Sequence, residues 1–146
     1  MSLPRILVTG GTGFLGSEIV KALVASQKYE ITAIDINPPA LGTSSFTSVR
    51  YVRANVLQPE ELTKVFHEAK PHIVIHTVGV SPAGQKRYSK KGREELYEIN
   101  VGGTRNVLEA AKECGARGLV YTSSITVLTD EVGCDFRNAD ETWGTG

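Results

Sequence analysis

The chain is expected to fold as an α/β domain, a doubly wound parallel sheet of five strands in the order 3-2-1-4-5. Three observations lead there. Short apolar runs alternate with longer segments of helical period as far as about residue 124. Most of those runs are apolar at successive positions, which marks strands covered on both faces. The first run leads directly into Gly10, Gly11, Gly13 and Gly16, where strand gives way to helix. Right-handed crossovers then wind the chain to both sides of the first strand. They open a crevice at the carboxyl ends of the strands, where the winding reverses.

The elements follow in order. Residues 5–9, RILVT, read as a buried first strand. From 13 to about 27, Ile19, Val20, Leu23 and Val24 recur at helical spacing. Residues 31–36, ITAIDI, form the second strand, and the proline, glycine and serine of 37–48 form a loop. Residues 49–56 form the third strand, with Val49, Tyr51 and Val52 as its apolar members. Pro59 suits a first helical turn, and Glu60 and Glu61 suit the positive end of that helix. Its buried side would carry Leu62, Val65, Phe66 and Ala69. Residues 72–80, HIVIHTVGV, are the fourth strand, and 81–92 a loop. A long helix is expected over 93–114, with Leu96, Ile99, Thr104, Val107, Leu108 and Ala111 inward and Gly115 ending it. Residues 118–124, GLVYTSS, are the fifth strand. Beyond Ile125 the pattern fades, so 1–129 is one domain and 130–146 a loop or tail.

Composition bounds the function. The chain has 146 residues, 40% of them apolar and 22% charged. Lysine plus arginine equals aspartate plus glutamate, 16 against 16, which argues against a nucleic-acid or anionic-membrane partner. No apolar run approaches the roughly 18–20 residues of a bilayer span. The start, MSLPRILVTG, lacks the form of a secretory signal. Cys114 and Cys134 form no CxxC and read as thiols of a reducing compartment, so a cytoplasmic location is expected. The three histidines and two cysteines have no metal-ligand spacing, and no metal is expected.

The glycines carry the chemistry. Gly10 would allow a tight turn. Gly13 would let a diphosphate approach bare backbone. Gly16 would let the helix pack against the strand. Free amides and the helix dipole then favour phosphate. Asp35 lies 19 residues beyond Gly16, at the end of the second strand, where an acid accepts hydrogen bonds from an adenosine ribose. No Gly-Lys-Ser/Thr follows the glycines, which excludes an ATPase phosphate loop. A methyltransferase using S-adenosylmethionine also pairs a glycine turn with an acid, but gives the later motifs no role. A carboxylate at 35 repels a 2′-phosphate, and Ile36 and Asn37 offer no cation, so NAD is expected over NADP.

Here a family resemblance enters. TGGTGFLG resembles the TGxxGxxG turn of the extended short-chain dehydrogenase/reductases. VIHTVG is similar to that family's fourth strand, NVGGTRNVLEAAKECG to the helix after it, and VYTSSITVL to its fifth strand. The likeness runs in order from residue 3 to about 129 and is strongest to the epimerase/dehydratase and 3β-hydroxysteroid dehydrogenase branch. It implies a Rossmann-like fold whose C-terminal strands and substrate region are missing here. It implies that Gly10, Gly13, Phe14, Leu15 and Gly16 line the diphosphate, and that Asp35 and Ile36 hold the adenosine ribose. Asn55 and Val56 would meet the adenine edge, where the family usually has aspartate before an apolar residue. Thr77, Val78 and Gly79 would pass under the nicotinamide-side ribose, with Val78 in place of the usual alanine. Asn100 would support the turn after strand four and the cofactor. Thr122 and Ser123 would flank the nicotinamide, and Ser124 matches the catalytic serine or threonine.

The resemblance also implies a Tyr-x-x-x-Lys after that serine, with the tyrosine moving the proton. Tyr29, Tyr51, Tyr88, Tyr97 and Tyr121 are followed at the fourth position by Ala33, Asn55, Gly92, Val101 and Ile125. All five precede Ser124. The chain is therefore expected to bind a dinucleotide without transferring hydride, as the front part of a longer oxidoreductase or epimerase or as a non-catalytic sensor or scaffold. The fifth strand would be a bare edge, favouring a homodimer or other self-association. His76 reads as a buried, hydrogen-bonded histidine. The basic stretch 85–93 reads as a solvated loop or a contact for a substrate anion. Trp143 would lie in the tail.

Overall fold

The computed structural model describes residues 2–37, 39, 45–81 and 89–124. Its five strands are β1 (Arg5–Thr9), β2 (Glu30–Asp35), β3 (Val49–Arg53), β4 (Ile73–His76) and β5 (Gly118–Tyr121). All pair in parallel, in the order β3-β2-β1-β4-β5, as the alternation predicts. The helices are α1 (Phe14–Ser26), α2 (Pro59–Ala69), α3 (Lys90–Tyr97) and α4 (Thr104–Glu113). A π-helical turn, Glu98–Gly103, joins α3 to α4. Among the described residues no helix is long and apolar enough to cross a membrane.

Double winding shows in the way side chains alternate. Ile6 and Val8 of β1 point to one face, where they meet Val20 of α1 with Ile31 and Ala33 of β2. Leu7 points to the other, where it joins Ile34, Leu62, Phe66, Val74 and Val107 beneath α2 and α4. Burying side chains such as Leu62 and Phe66 stabilises the fold by about 1.5–3 kcal/mol each before entropy is counted. The α2 helix starts as expected, with Pro59 in its first turn and Glu60 and Glu61 behind it.

Several expectations need correction. β3 stops at Arg53 because Asn55 turns the chain: its Oδ1 accepts from the Leu57 amide at 3.0 Å. β4 stops at His76, and residues 77–80 leave the sheet. Likewise β5 ends at Tyr121. The long helix begins earlier, at Lys90. Ser89 caps it, its Oγ accepting from the Gly92 amide at 3.0 Å, so Lys90, Lys91 and Arg93 belong to a helix and not to a loop. On α4 the expected inward residue Leu108 is 48% exposed, while Ala110 is buried beside Val107 and Ala111. Gly115 follows α4 with φ +75°, the left-handed conformation expected of a terminating glycine. Cover is uneven too, since Val120 and Tyr121 of the edge strand β5 are 54% and 49% exposed. Cys134, Trp143, the tail 130–146 and residues 85–88 of the basic stretch lie outside the described residues.

Candidate functional site

The glycine turn is built by close approach. Gly10 has φ +72°, and a Cβ there would lie 2.7 Å from Thr77 Oγ1. Its carbonyl accepts from the Gly13 amide at 3.0 Å. A Cβ on Gly16 would lie only 2.0 Å from that same carbonyl oxygen, so α1 sits directly on the turn. Gly13 is the N-cap of α1 and makes no side-chain cap. The N-cap therefore offers no side-chain acceptor to the first-turn amides, which lack partners within the helix.

Beside this turn lies a cleft of about 570 Å³. It runs along the carboxyl ends of β1 and β2 and the segments after β3 and β4. Gly10, Gly13, Phe14, Leu15 and Gly16 line one wall, and Asp35 and Ile36 the end of β2. Asn55 and Val56 follow β3, and Thr77, Val78 and Gly79 follow β4. Twelve of the residues expected from the sequence thus share one surface. Ile34, Asn37, Ala54, Leu57, Val80 and Ile99 line it as well. Val80 and Leu57 adjoin residues already singled out; Ile99 arrives from the π turn with no local signal. Among the described residues no group of three or more His, Cys, Asp or Glu side chains could hold a metal.

The acid at the end of β2 is held by backbone. Asp35 Oδ1 accepts from the Asn37 amide at 3.1 Å, and Oδ2 from the Thr12 amide at 3.4 Å. This keeps the carboxylate beside the glycine turn. Arg53, its partner across the β2–β3 ladder, donates from Nε to the Ile36 carbonyl at 3.2 Å. A cation therefore stands near Asp35 after all, delivered by β3 and invisible in the residues that follow the acid. Asn55 spends its Oδ1 on Leu57, and its backbone amide donates to Glu61 Oε2 at 2.9 Å.

The opposite wall is secured by side chains. Asn100, in the π turn, clamps Val80 twice: Val80 N donates to Oδ1 at 2.8 Å, and Nδ2 donates to the Val80 carbonyl at 2.9 Å. Asn106 Nδ2 donates to the Val56 carbonyl at 2.9 Å. Gly103 lets Val56 come close, since a Cβ there would lie 2.8 Å from Val56 Cγ2. Beneath them His76, 1% exposed, bridges two hydroxyls, Thr9 Oγ1 to Nδ1 at 2.6 Å and Nε2 to Thr104 Oγ1 at 2.9 Å. Thr104 Oγ1 donates onward to the Asn100 carbonyl at 2.6 Å. That direction fixes the chain of donors: Thr9 O–H gives to Nδ1, and a neutral imidazole gives its Nε2–H to Thr104. Burial agrees, pushing the His76 pKa down to about 4. The ring also stacks on Tyr121, with centroids 5.7 Å apart. His76 is thus the expected structural histidine, and the Asn-Val-x-Gly-Thr stretch is a set of ties holding one wall of the cleft.

The residues after β5 stand apart from the cleft. Thr122 is tied to the His76 carbonyl through its amide at 3.1 Å and its Oγ1 at 3.2 Å. Ser123 and Ser124 are exposed beyond the end of β5. None of these three lines the cleft, and neither does Asn100, which acts on it through Val80.

This geometry has known counterparts. The chain is 34% identical, over 97% of its length, to the decarboxylating sterol-4-alpha-carboxylate 3-dehydrogenase of Saccharomyces cerevisiae, of which it covers 40%. It is 36% identical, over 84% of its length, to human 3 beta-hydroxysteroid dehydrogenase type 7, of which it covers 33%. Among solved structures, the Thermus thermophilus UDP-glucose 4-epimerase complex with NAD matches with a TM-score of 0.81 at 29% identity. That match takes in 97% of this chain and 44% of the other. The chain thus spans well under half the length of these proteins. A family profile matches residues 7–145, nearly the whole chain, and the chain belongs to the family it describes, the 3-beta hydroxysteroid dehydrogenase/isomerase family.

Proposed function

We propose that this chain is the NAD-binding portion of an extended short-chain dehydrogenase/reductase. The observation that carries this reading is the single cleft shared by the glycine turn, Asp35 and residues 77–79. The uncapped start of α1 meets the diphosphate, and Gly13 leaves room for it. Asp35 takes the adenosine ribose hydroxyls and disfavours a 2′-phosphate. Thr77, Val78 and Gly79 support the second ribose. Bound NAD supplies the hydride acceptor. Ser124 is the residue that hydrogen-bonds the substrate oxygen in the whole protein. That protein acts on a secondary alcohol or ketone, and its sterol and hydroxysteroid dehydrogenase relatives favour a sterol over a nucleotide sugar.

Calorimetric titration of the 146-residue chain tests the reading. NAD should bind, and more tightly than NADP. Gly13→Ala should weaken NAD binding while the chain still folds, because Gly13 is exposed with φ −73°, which alanine adopts, and its Cβ would press only on the Gly10 carbonyl oxygen, at 3.2 Å. A chain that gives no heat with NAD overturns the proposal. The isolated chain should not reduce NAD in the presence of an alcohol, since none of its five tyrosines has a lysine four residues on.

A Tyr-x-x-x-Lys encoded shortly beyond Gly146 decides for the enzyme. The exposed Val120 and Tyr121 on edge strand β5 motivate a proposal of self-association by the isolated chain. Light scattering that finds a clean monomer at high concentration overturns it. A cytoplasmic setting is proposed on the two cysteines without a CxxC, and localisation of a tagged chain tests it.

A further inference from the structure

His76 stands where the cleft meets the interior, although it does not itself line the cleft. Thr9, which bonds its Nδ1 at 2.6 Å, immediately precedes the glycine turn. Thr77, the residue after His76, lines the cleft and donates from Oγ1 to the Thr9 carbonyl at 2.7 Å. The imidazole face lies against Tyr121, 24° from parallel, which keeps both ring nitrogens on their hydroxyls. On the far edge Nε2 meets Thr104 Oγ1 at 2.9 Å. A threonine hydroxyl has one proton to give. The Thr104 amide is turned to the Val101 carbonyl, and its hydroxyl donates to the Asn100 carbonyl at 2.6 Å. Asn100 in turn grips Val80 with both ends of its side-chain amide.

We propose that His76 is a positioning residue for the dinucleotide, and that its tautomer sets the Val80 wall of the cleft. This rests on the dinucleotide reading above. With the proton on Nε2, the ring donates to Thr104, and the Thr104 proton stays on the Asn100 carbonyl. With the proton on Nδ1, Nε2 becomes an acceptor and competes for that same hydroxyl proton. The Asn100 carbonyl then loses its hydroxyl donor, and the π turn loses its tie to β4. Ile99 and Val80 both line the cleft, so this tie bears on its shape from two positions. A π turn aims side chains that a regular helix would point elsewhere, and such turns recur at functional sites. His76 therefore acts on the cofactor through Thr104 and Asn100, without touching it.

Two measurements decide the matter. Imidazole ¹⁵N spectra of the chain at neutral pH should show Nε2 protonated and Nδ1 bare; the opposite tautomer overturns the proposal. Calorimetry then follows NAD affinity through variants whose fold is confirmed by thermal unfolding. Thr104→Val keeps the shape and removes the hydroxyl, and should weaken NAD binding by about tenfold, while Thr104→Ser should stay within about twofold of wild type. Glutamine can donate from near the place of Nε2 and asparagine falls short of it, so His76→Gln should bind NAD about fivefold more tightly than His76→Asn. Because Thr104 acts through Asn100, Thr104→Val should cost less than about a further twofold once Asn100→Ala is present. Lower melting temperatures with unchanged NAD affinity, or losses that multiply in full in the double variant, make the relay a strut alone and overturn the proposal. In either case wild type still binds NAD and the dinucleotide reading stands. If wild type gives no heat with NAD, both fall.

Discussion

The two walls of the cleft are built by opposite means. The glycine wall is backbone on backbone: α1 sits so close to the turn that a Cβ on Gly16 would fall 2.0 Å from a carbonyl oxygen. The β4–α4 wall is a relay of side chains, Thr9 to His76 to Thr104 to Asn100 to Val80. Backbone contact has no way to yield without moving an element. A side-chain relay yields one bond at a time, and one of its members, His76, titrates. The first wall should therefore respond to added atoms and the second to lost hydrogen bonds and to pH.

The largest effect should come from forcing the glycine wall apart. Gly16→Ala should destabilise the chain by about 3 kcal/mol or more, since the clash is with backbone, and denaturant unfolding measures it. No cost, or the gain of up to about 1 kcal/mol that Gly→Ala brings at an unhindered helix position, would break the contrast between the walls.

Acid is the next probe, and it acts on the other wall. Folding holds His76 neutral with a pKa of about 4, against 6.5 when unfolded, so the unfolded chain binds more protons between those values. Stability should be fully present above pH 6.5 and fall by about 2–3 kcal/mol as the pH drops to 4. Melting curves of wild type and His76→Gln across that range isolate the term: the variant should lose this part of the slope. Equal slopes would show that the imidazole does not titrate as the relay requires.

Asn100→Ala removes both bonds to Val80 and should cost about 1–2 kcal/mol. It should also weaken NAD binding, because Val80 lines the cleft. Loss of stability without loss of affinity would make Asn100 a tie with no bearing on the site. The smallest effect belongs far from either wall. The Arg50–Glu68 pair on the surface joins β3 to α2, and Glu68→Ala should change stability by no more than about 0.5 kcal/mol.

The same division governs what could be read in advance. Strand order, the glycine turn and Asp35 were legible because each depends on residues close together in the chain. The inward face of the last helix was not. Leu108, set inside by its apolar side chain, is 48% exposed, because a 3.6-residue period carried on from Leu96 reaches Gly103, Val107 and Ala110 instead. The exposure of Val120 and Tyr121 fits the bare edge expected of the fifth strand. Twelve expected site residues meet in the cleft because they belong to its rim loops. Ser124 does not; it is exposed beyond the end of β5.

By itself the sequence determined the α/β alternation, the parallel sheet and its order, the phosphate turn and the acid that faces it. These follow from periodicity, from glycine geometry and from a short spacing along one chain. Only the tertiary structure decided which hydroxyls the buried His76 bridges, that Asn100 works through Val80, and that Arg53 stands beside Asp35. Each of those joins residues from different strands and helices, brought together by parallel register and helix packing. Spacing along the chain carries no trace of such contacts.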